Sequence, residues 1–149
     1  MKEPITPWNP SRRAIARVKD PLPAPTHCHY CRARVEIVNN AEIYNREFGE
    51  WPWAYKCTGR GCRAYVGMHQ FTNIPLGSLA DSATRRARAG VKEVFNALWR
   101  SGRMTREQAY KWLAGELGMK PSETHIGWMD VQTCQRALAA CLKLAREEA

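Results

Sequence analysis

The chain has 149 residues, 25% of them charged, and its 23 lysines and arginines exceed its 14 acids to give a formal net charge of +9. Its apolar stretches are interrupted by charges far short of the roughly 20 residues that cross a bilayer, which argues against a membrane protein and for a soluble, cytoplasmic one. The length suits one ordinary domain, or a small metal-stapled module with a compact helical one, and the basic excess points to nucleic acid or an acidic protein as partner.

Residues 1–26 contain Pro4, Pro7, Pro10, Pro21, Pro23 and Pro25 together with Arg12, Arg13, Arg17 and Lys19. Proline donates no backbone hydrogen bond and the stretch has little apolar content, so a proline-rich basic arm is expected, either solvated or reaching into a groove. A short helix over residues 11–19 capped by Ser11 fits the pattern, and Trp8 and Ile15 are the residues able to pin the arm to the body.

Residues 27–77 read as a metal module. Cys28 and Cys31 form C-x2-C, Cys57 and Cys62 form C-x4-C, and the segment between the pairs is rich in strand formers. Each pair fits a tight turn at the end of a hairpin. Two such turns brought together present four sulfurs tetrahedrally at about 2.3 Å from one Zn²⁺. One structural zinc on Cys28, Cys31, Cys57 and Cys62 is expected; two disulfides or buried thiols are the alternative, disfavoured because no signal-peptide pattern opens the sequence. His27, His29 and His69 flank the module, but four well-spaced cysteines leave no need for them as ligands.

Within this module Arg34 to Val38 alternates, Asn39-Asn40 signals a turn, and Glu42-Ile43-Tyr44 resumes an extended pattern, which predicts a first hairpin. A second has strands over 51–57 and 62–69, with Thr58-Gly59-Arg60-Gly61 as the flexible turn that lets Cys57 and Cys62 converge.

Residues 78–149 predict three helices. Asp81 caps the first, which runs to about Arg100 with Ala87, Val91, Val94, Phe95 and Leu98 on one face. Thr105 and Gln108 make a capping box for the second, whose buried face holds Ala109, Trp112, Leu113 and Leu117 before Gly118 ends it. The third starts after Asp130 and places Val131, Cys134, Leu138, Cys141 and Ala145 on one side. Cys134 and Cys141, seven positions apart on a helix, lie about 10.5 Å apart along its axis, too far for a disulfide, and read as core.

Two surfaces are candidates for a partner. Trp51, Trp53 and Tyr55 lie at period two with Arg60 and Arg63 nearby, and either stack bases or pack the ribbon, which has almost no core of its own. Arg85, Arg88 and Lys92 fall at helical spacing as a basic stripe, with Arg103 at the following turn; phosphate or acidic-protein contact is expected there, or a solvated face. Catalysis has little support, because the sequence holds no nucleophile elbow and no phosphate-cradling loop, and a four-cysteine zinc has no open position. His125, in His125-Ile126-Gly127, reads as a packing or capping residue rather than a catalytic one.

Cys28-His29-Tyr30-Cys31, Cys57, the run Cys62 to His69, Pro75-Leu76-Gly77, Leu79-Ala80-Asp81, Leu98-Trp99, Arg103-Met104, Ala109-Tyr110, Trp112-Leu113, Leu117-Gly118 and His125-Ile126-Gly127 together resemble a phage and prophage family of zinc-finger-containing proteins of unknown function. The resemblance covers roughly residues 27–141 and implies zinc ligation by the four cysteines and a phage origin. The ribbon alone is similar to the C-terminal zinc ribbons of bacterial type I topoisomerases, which bind single-stranded DNA through aromatic and basic strand residues. The expected architecture is α+β: an arm over 1–26, a four-cysteine zinc ribbon of short antiparallel hairpins over 27–77, and a three-helix bundle over 78–149. The expected function is non-enzymatic nucleic-acid binding through Arg85, Arg88, Lys92 and Arg103 and through Trp53, Tyr55, Arg60 and Arg63. The alternative is a phage protein-interaction module that inhibits or redirects a host polymerase, nuclease or defence complex.

Overall fold

The computed structural model describes residues 3–147; residues 1 and 2 of the expected arm and 148 and 149 of the expected helical part lie outside the described residues. The chain divides into two compact units, one ending at Asp81 and the other beginning at Ser82.

The first unit is built on a three-stranded antiparallel sheet, β1 (Val35–Asn39), β2 (Trp53–Cys57) and β3 (Tyr65–Gly67), in the order β1-β2-β3. Val35 pairs with Cys57, Ile37 with Tyr55, and Tyr55 with Val66. Because side chains alternate along a strand, this register puts Val35, Ile37, Trp53, Tyr55, Cys57 and Val66 on one face. That face meets Cys28, Ala64, Met68 and Leu79 in the unit's core.

The expected first hairpin does not form. Residues Glu42, Ile43 and Tyr44, read as a strand, lie instead in a helical turn, α2 (Ala41–Tyr44), which ends at Asn45 in the left-handed conformation (φ 66°). The cause lies in the two asparagines. The Ala41 amide donates to Asn39 Oδ1 at 2.9 Å, while Asn40 clasps the backbone of Phe48, donating to its carbonyl and accepting from its amide, both at 3.0 Å. Such side-chain bonds offer the backbone an alternative to a ladder, and a three-residue extended pattern is too short to resist them. β1 therefore pairs with β2 across the loop 40–52, and the sheet is one meander.

The N-terminal stretch packs within the same unit. Helix α1 (Arg12–Ala16) is capped by Ser11, whose Oγ accepts from the Ala14 amide at 3.2 Å, and the Ser11 amide donates to the Phe71 carbonyl at 2.9 Å. Pro7 is fully buried, and the Trp8 ring stands edge-on to Trp53 with centroids 5.3 Å apart.

The second unit contains three sizeable helices, α3 (Ser82–Arg100), α4 (Arg106–Leu117) and α5 (Val131–Glu147), with 3-10 turns at Pro121–Glu123 and Ile126–Trp128. Its core joins Val91, Phe95 and Leu98 of α3, Ala109, Leu113 and Leu117 of α4, and Cys134, Ala137 and Cys141 of α5. The connector before α5 adds Ile126 and Met129 to that core, so the unit is more than three helices joined by loops. The α4 capping box is complete: the Gln108 amide donates to Thr105 Oγ1 at 3.1 Å and the Thr105 amide to Gln108 Oε1 at 2.9 Å. Gly118 ends that helix with φ 67°, a conformation that favours glycine.

Helix α5 begins on Asp130, whose Oδ1 accepts from the Thr133 amide at 2.8 Å. That amide first, then the Thr133 hydroxyl and the positive charge of Arg88, hold the Asp130 carboxyl below its ordinary value. A lowered native pKa stabilises the fold above the unfolded value near 3.9 and loses that contribution as pH falls through the native one. Asp130→Ala should cost about 1 kcal/mol at pH 7 by urea denaturation, and Asp130→Asn only a fraction of that. The gap between wild type and Asp130→Ala should narrow below about pH 4, where the wild-type carboxylate also takes up its proton.

Candidate metal centre

Two knuckles carry the cysteines, and backbone bonds shape both. In the first, the Cys28 amide donates to the Ala33 carbonyl at 2.8 Å, the Arg32 amide to the Cys28 carbonyl at 2.7 Å, and Arg32 takes a left-handed φ of 67°. In the second, the Cys57 amide donates to the Ala64 carbonyl at 3.0 Å, the Cys62 amide to the Gly59 carbonyl at 3.1 Å, and Gly61 takes φ 80°. Thr58 ties one knuckle to the other, its amide and its hydroxyl both donating to the Arg34 carbonyl, at 2.9 and 2.7 Å.

Each sulfur meets the backbone amide two residues further on. The Tyr30 amide lies 3.4 Å from Cys28 Sγ and the Gly59 amide 3.2 Å from Cys57 Sγ, and the backbone at Ala33 and Ala64 bonds Cys31 and Cys62. Amide donors favour the thiolate, the form that binds metal. The Ala33 amide and then the Cys57 thiol lower Cys31 from its ordinary value. Burial acts the other way on Cys57, pushing its thiol up to about 12. A metal entering the site must displace protons from such thiols, so loading is proton-linked.

The four Sγ atoms lie within 4.8 Å of one another, with Cys28 to Cys62 at 3.8 Å and Cys31 to Cys57 at 3.3 Å. Sulfurs at 2.3 Å from a tetrahedral ion stand about 3.8 Å apart, so the cluster fits one ion of that kind. The same spacings are far outside the roughly 2.05 Å of a disulfide bond, and all four thiols are free. Soft sulfur ligands in a tetrahedral set of four suit zinc.

Gly59 is part of this geometry. A Cβ there would fall 2.6 Å from Cys31 Sγ and 3.2 Å from Cys57 Sγ. The residue, which the sequence marks only as a flexible turn, is thus a packing glycine between two ligands.

The aromatic strand faces inward. Tyr55 is 4% exposed and its hydroxyl donates to the Asn73 carbonyl, so the expectation that its ring stacks bases at the surface is corrected. Trp51 Nε1 donates to the Thr72 carbonyl at 3.0 Å, and Trp53 is half-buried against the core. Arg60 and Arg63 are exposed on the second knuckle, and Arg32 and Arg34, which the sequence reading did not single out, are exposed on the first. Their adjacency to Cys31 was the available signal.

The basic residues of α3 belong to the second unit and are not alike. Arg88 Nε donates to the Met129 carbonyl at 2.8 Å, which ties α3 to the connector before α5. Arg85 is half-buried, while Lys92 and Arg103 are exposed. His125 lies 3.1 Å from the Ser122 carbonyl and stacks on Trp128 with centroids 4.2 Å apart. Cys134 and Cys141 are buried in the core, where burial raises both thiols, Cys141 to about 11. His29 stacks on Tyr30, and none of the histidines joins the sulfur cluster.

Gly59→Ala should reduce zinc affinity by ~10–100-fold, as is typical when the support of metal ligands is disturbed. Gly61→Ala has nothing within 4 Å of the added carbon and should lose stability through its positive φ while retaining the metal. Chelator competition and elemental analysis read both effects. Cys57→Ser should lose the ion, and Cys134→Ser should leave metal content unchanged.

A family model for a zinc-finger-containing domain, DUF3268, matches residues 24–144. No curated protein matches the chain, and no solved structure does, so the likeness to topoisomerase ribbons rests on cysteine spacing alone. The matched span takes in both knuckles, the sheet, and α3, α4 and most of α5. The chain belongs to the family of zinc-finger-containing domains.

Proposed function

We propose that the first unit is a zinc ribbon that binds nucleic acid through its knuckle end. The observation behind this reading is charge. Arg32, Arg34, Arg60 and Arg63 are all exposed on the two knuckles, and residues 27–35 and 57–68 contain no acid. Four thiolates with one Zn²⁺ carry −2, so against four arginines the knuckle end keeps +2, and the chain's +9 becomes +7. Guanidinium groups on rigid turns suit phosphate, since their planar forks match its oxygens. The zinc on this reading is structural and the protein non-enzymatic.

A second basic set, Arg85, Lys92 and Arg103, adds phosphate contacts from the helical unit. Arg88 also ties α3 to the connector before α5, its Nε donating to the Met129 carbonyl.

The test is direct binding of the zinc-loaded protein to unrelated single- and double-stranded oligonucleotides across a salt series. Non-specific affinities of roughly 10⁻⁴ to 10⁻⁶ M are expected at physiological salt. Replacing Arg32, Arg34, Arg60 and Arg63 by Gln should flatten the log–log salt slope by about 0.9 per lost duplex contact, with zinc content unchanged. Absence of binding to any oligonucleotide would overturn the proposal in favour of an acidic host protein as partner of the same arginines.

A further inference from the structure

A cavity of about 340 Å³ opens in the first unit between the end of α1 and the loop after β3, with Arg17, Val18 and Lys19 on one side and His69, Gln70 and Phe71 on the other. Its size falls within the roughly 300–1,000 Å³ of small-ligand sites. No carboxylate is among the lining residues, and one of them, Gln70, donates from Nε2 to Glu50 Oε2 at 3.0 Å.

Phe71 is the informative residue. Its φ of 65° lies in the left-handed region, which a bulky side chain rarely enters and glycine enters freely. The backbone is held there by its carbonyl, which accepts from the Ser11 amide at 2.9 Å. That bond explains the backbone but not the ring, since glycine would serve it with less strain. Packing accounts for only part of the ring: Trp51 meets it edge-on at 5.4 Å, and the residue remains 38% exposed. An aromatic kept at a strained, open position beside two cations is the pairing that single-stranded nucleic acid requires, a flat face for a base and positive charge for the phosphate that follows.

We infer that this cavity seats one nucleotide of a single strand, with its base against Phe71 and its phosphate between Arg17 and Lys19. The inference rests on the nucleic-acid reading above and assigns it a strand preference. It also gives the N-terminal stretch a task beyond covering the ribbon, because α1 brings the cations to a ring more than fifty positions away in sequence.

The experiment uses the full zinc-loaded chain, a twelve-residue oligothymidylate and the corresponding dA·dT duplex. Phe71→Gly removes the ring and relieves the left-handed backbone, so thermal stability and zinc content should hold while affinity for the single strand falls about tenfold and duplex affinity stays put. Arg17→Gln with Lys19→Gln should lower the single-strand salt slope by about 1.4, at about 0.7 per contact. Wild type that binds only duplex, or that binds oligothymidylate no more tightly than both variants do, overturns this inference and leaves the nucleic-acid reading standing. No binding to either oligonucleotide overturns both.

Discussion

The convergence of four cysteine sulfurs from two knuckles is the constraint on which the first unit depends. Its sheet has strands of only five, five and three residues, and its core cluster includes Cys28 and Cys57, themselves two of the four clustered thiols, so the core and the sulfur cluster share the same residues. The sulfurs join positions 26 and 34 residues apart in sequence. Closing loops of that length costs the unfolded chain about 3–4 kcal/mol. A structural zinc contributes roughly 10–16 kcal/mol of apparent binding energy in peptides at neutral pH, so the ion is the larger quantity and a metal-loaded ribbon is held closed.

The knuckles also fix what the strands present. Cys57 is the last residue of β2 and pairs with Val35, four positions after Cys31. Once both cysteines are committed to one ion, the β1–β2 register has little freedom. A slip by one residue would turn Trp53 and Tyr55 out and Lys56 in. With the register set, Tyr55 reaches Asn73 and Trp51 reaches Thr72, which fastens the loop after β3. The same loop holds the Phe71 carbonyl that receives α1. Arm, loop and sheet are thus successive consequences of one crosslink.

Much of this was legible in the sequence because it is local. Cysteine spacing identifies the ligand set, Thr105 with Gln108 announces a capping box, Gly118 a helix end, and the apolar spacing of Val91, Phe95 and Leu98 a buried stripe. What escaped depends on contacts between distant positions. Alternation shows that Trp51, Trp53 and Tyr55 share a face, but only the fold decides whether that face is covered. Glu42 to Tyr44 alternate as a strand does, yet the bonds of Asn39 and Asn40 bend them into a turn. Ile126 and Met129 enter the core from a connector with no period to reveal them. Gly59 looks like any turn glycine until Cys31, 28 positions earlier, is placed beside it.

Charge and geometry pull in opposite directions at the knuckle end, and their opposition separates the possible origins of binding. With zinc, the four arginines stand over a cluster of −2. Without it the thiols take up protons, most readily Cys57, whose burial already favours the neutral form, and the end gains two units of positive charge. If attraction to phosphate depended on net charge alone, removal of the metal would strengthen it. If it depends on guanidinium groups held at fixed spacing, removal frees both turns, and the backbone entropy of ordering the four arginine positions must then be met at binding, at about 1–2 kcal/mol for each. For four arginines that sum exceeds what two further charges contribute across a screened surface, where each is worth about 1 kcal/mol or less. Geometry is the larger effect, so on the proposed reading the metal serves recognition by fixing the arginines and not by its own charge.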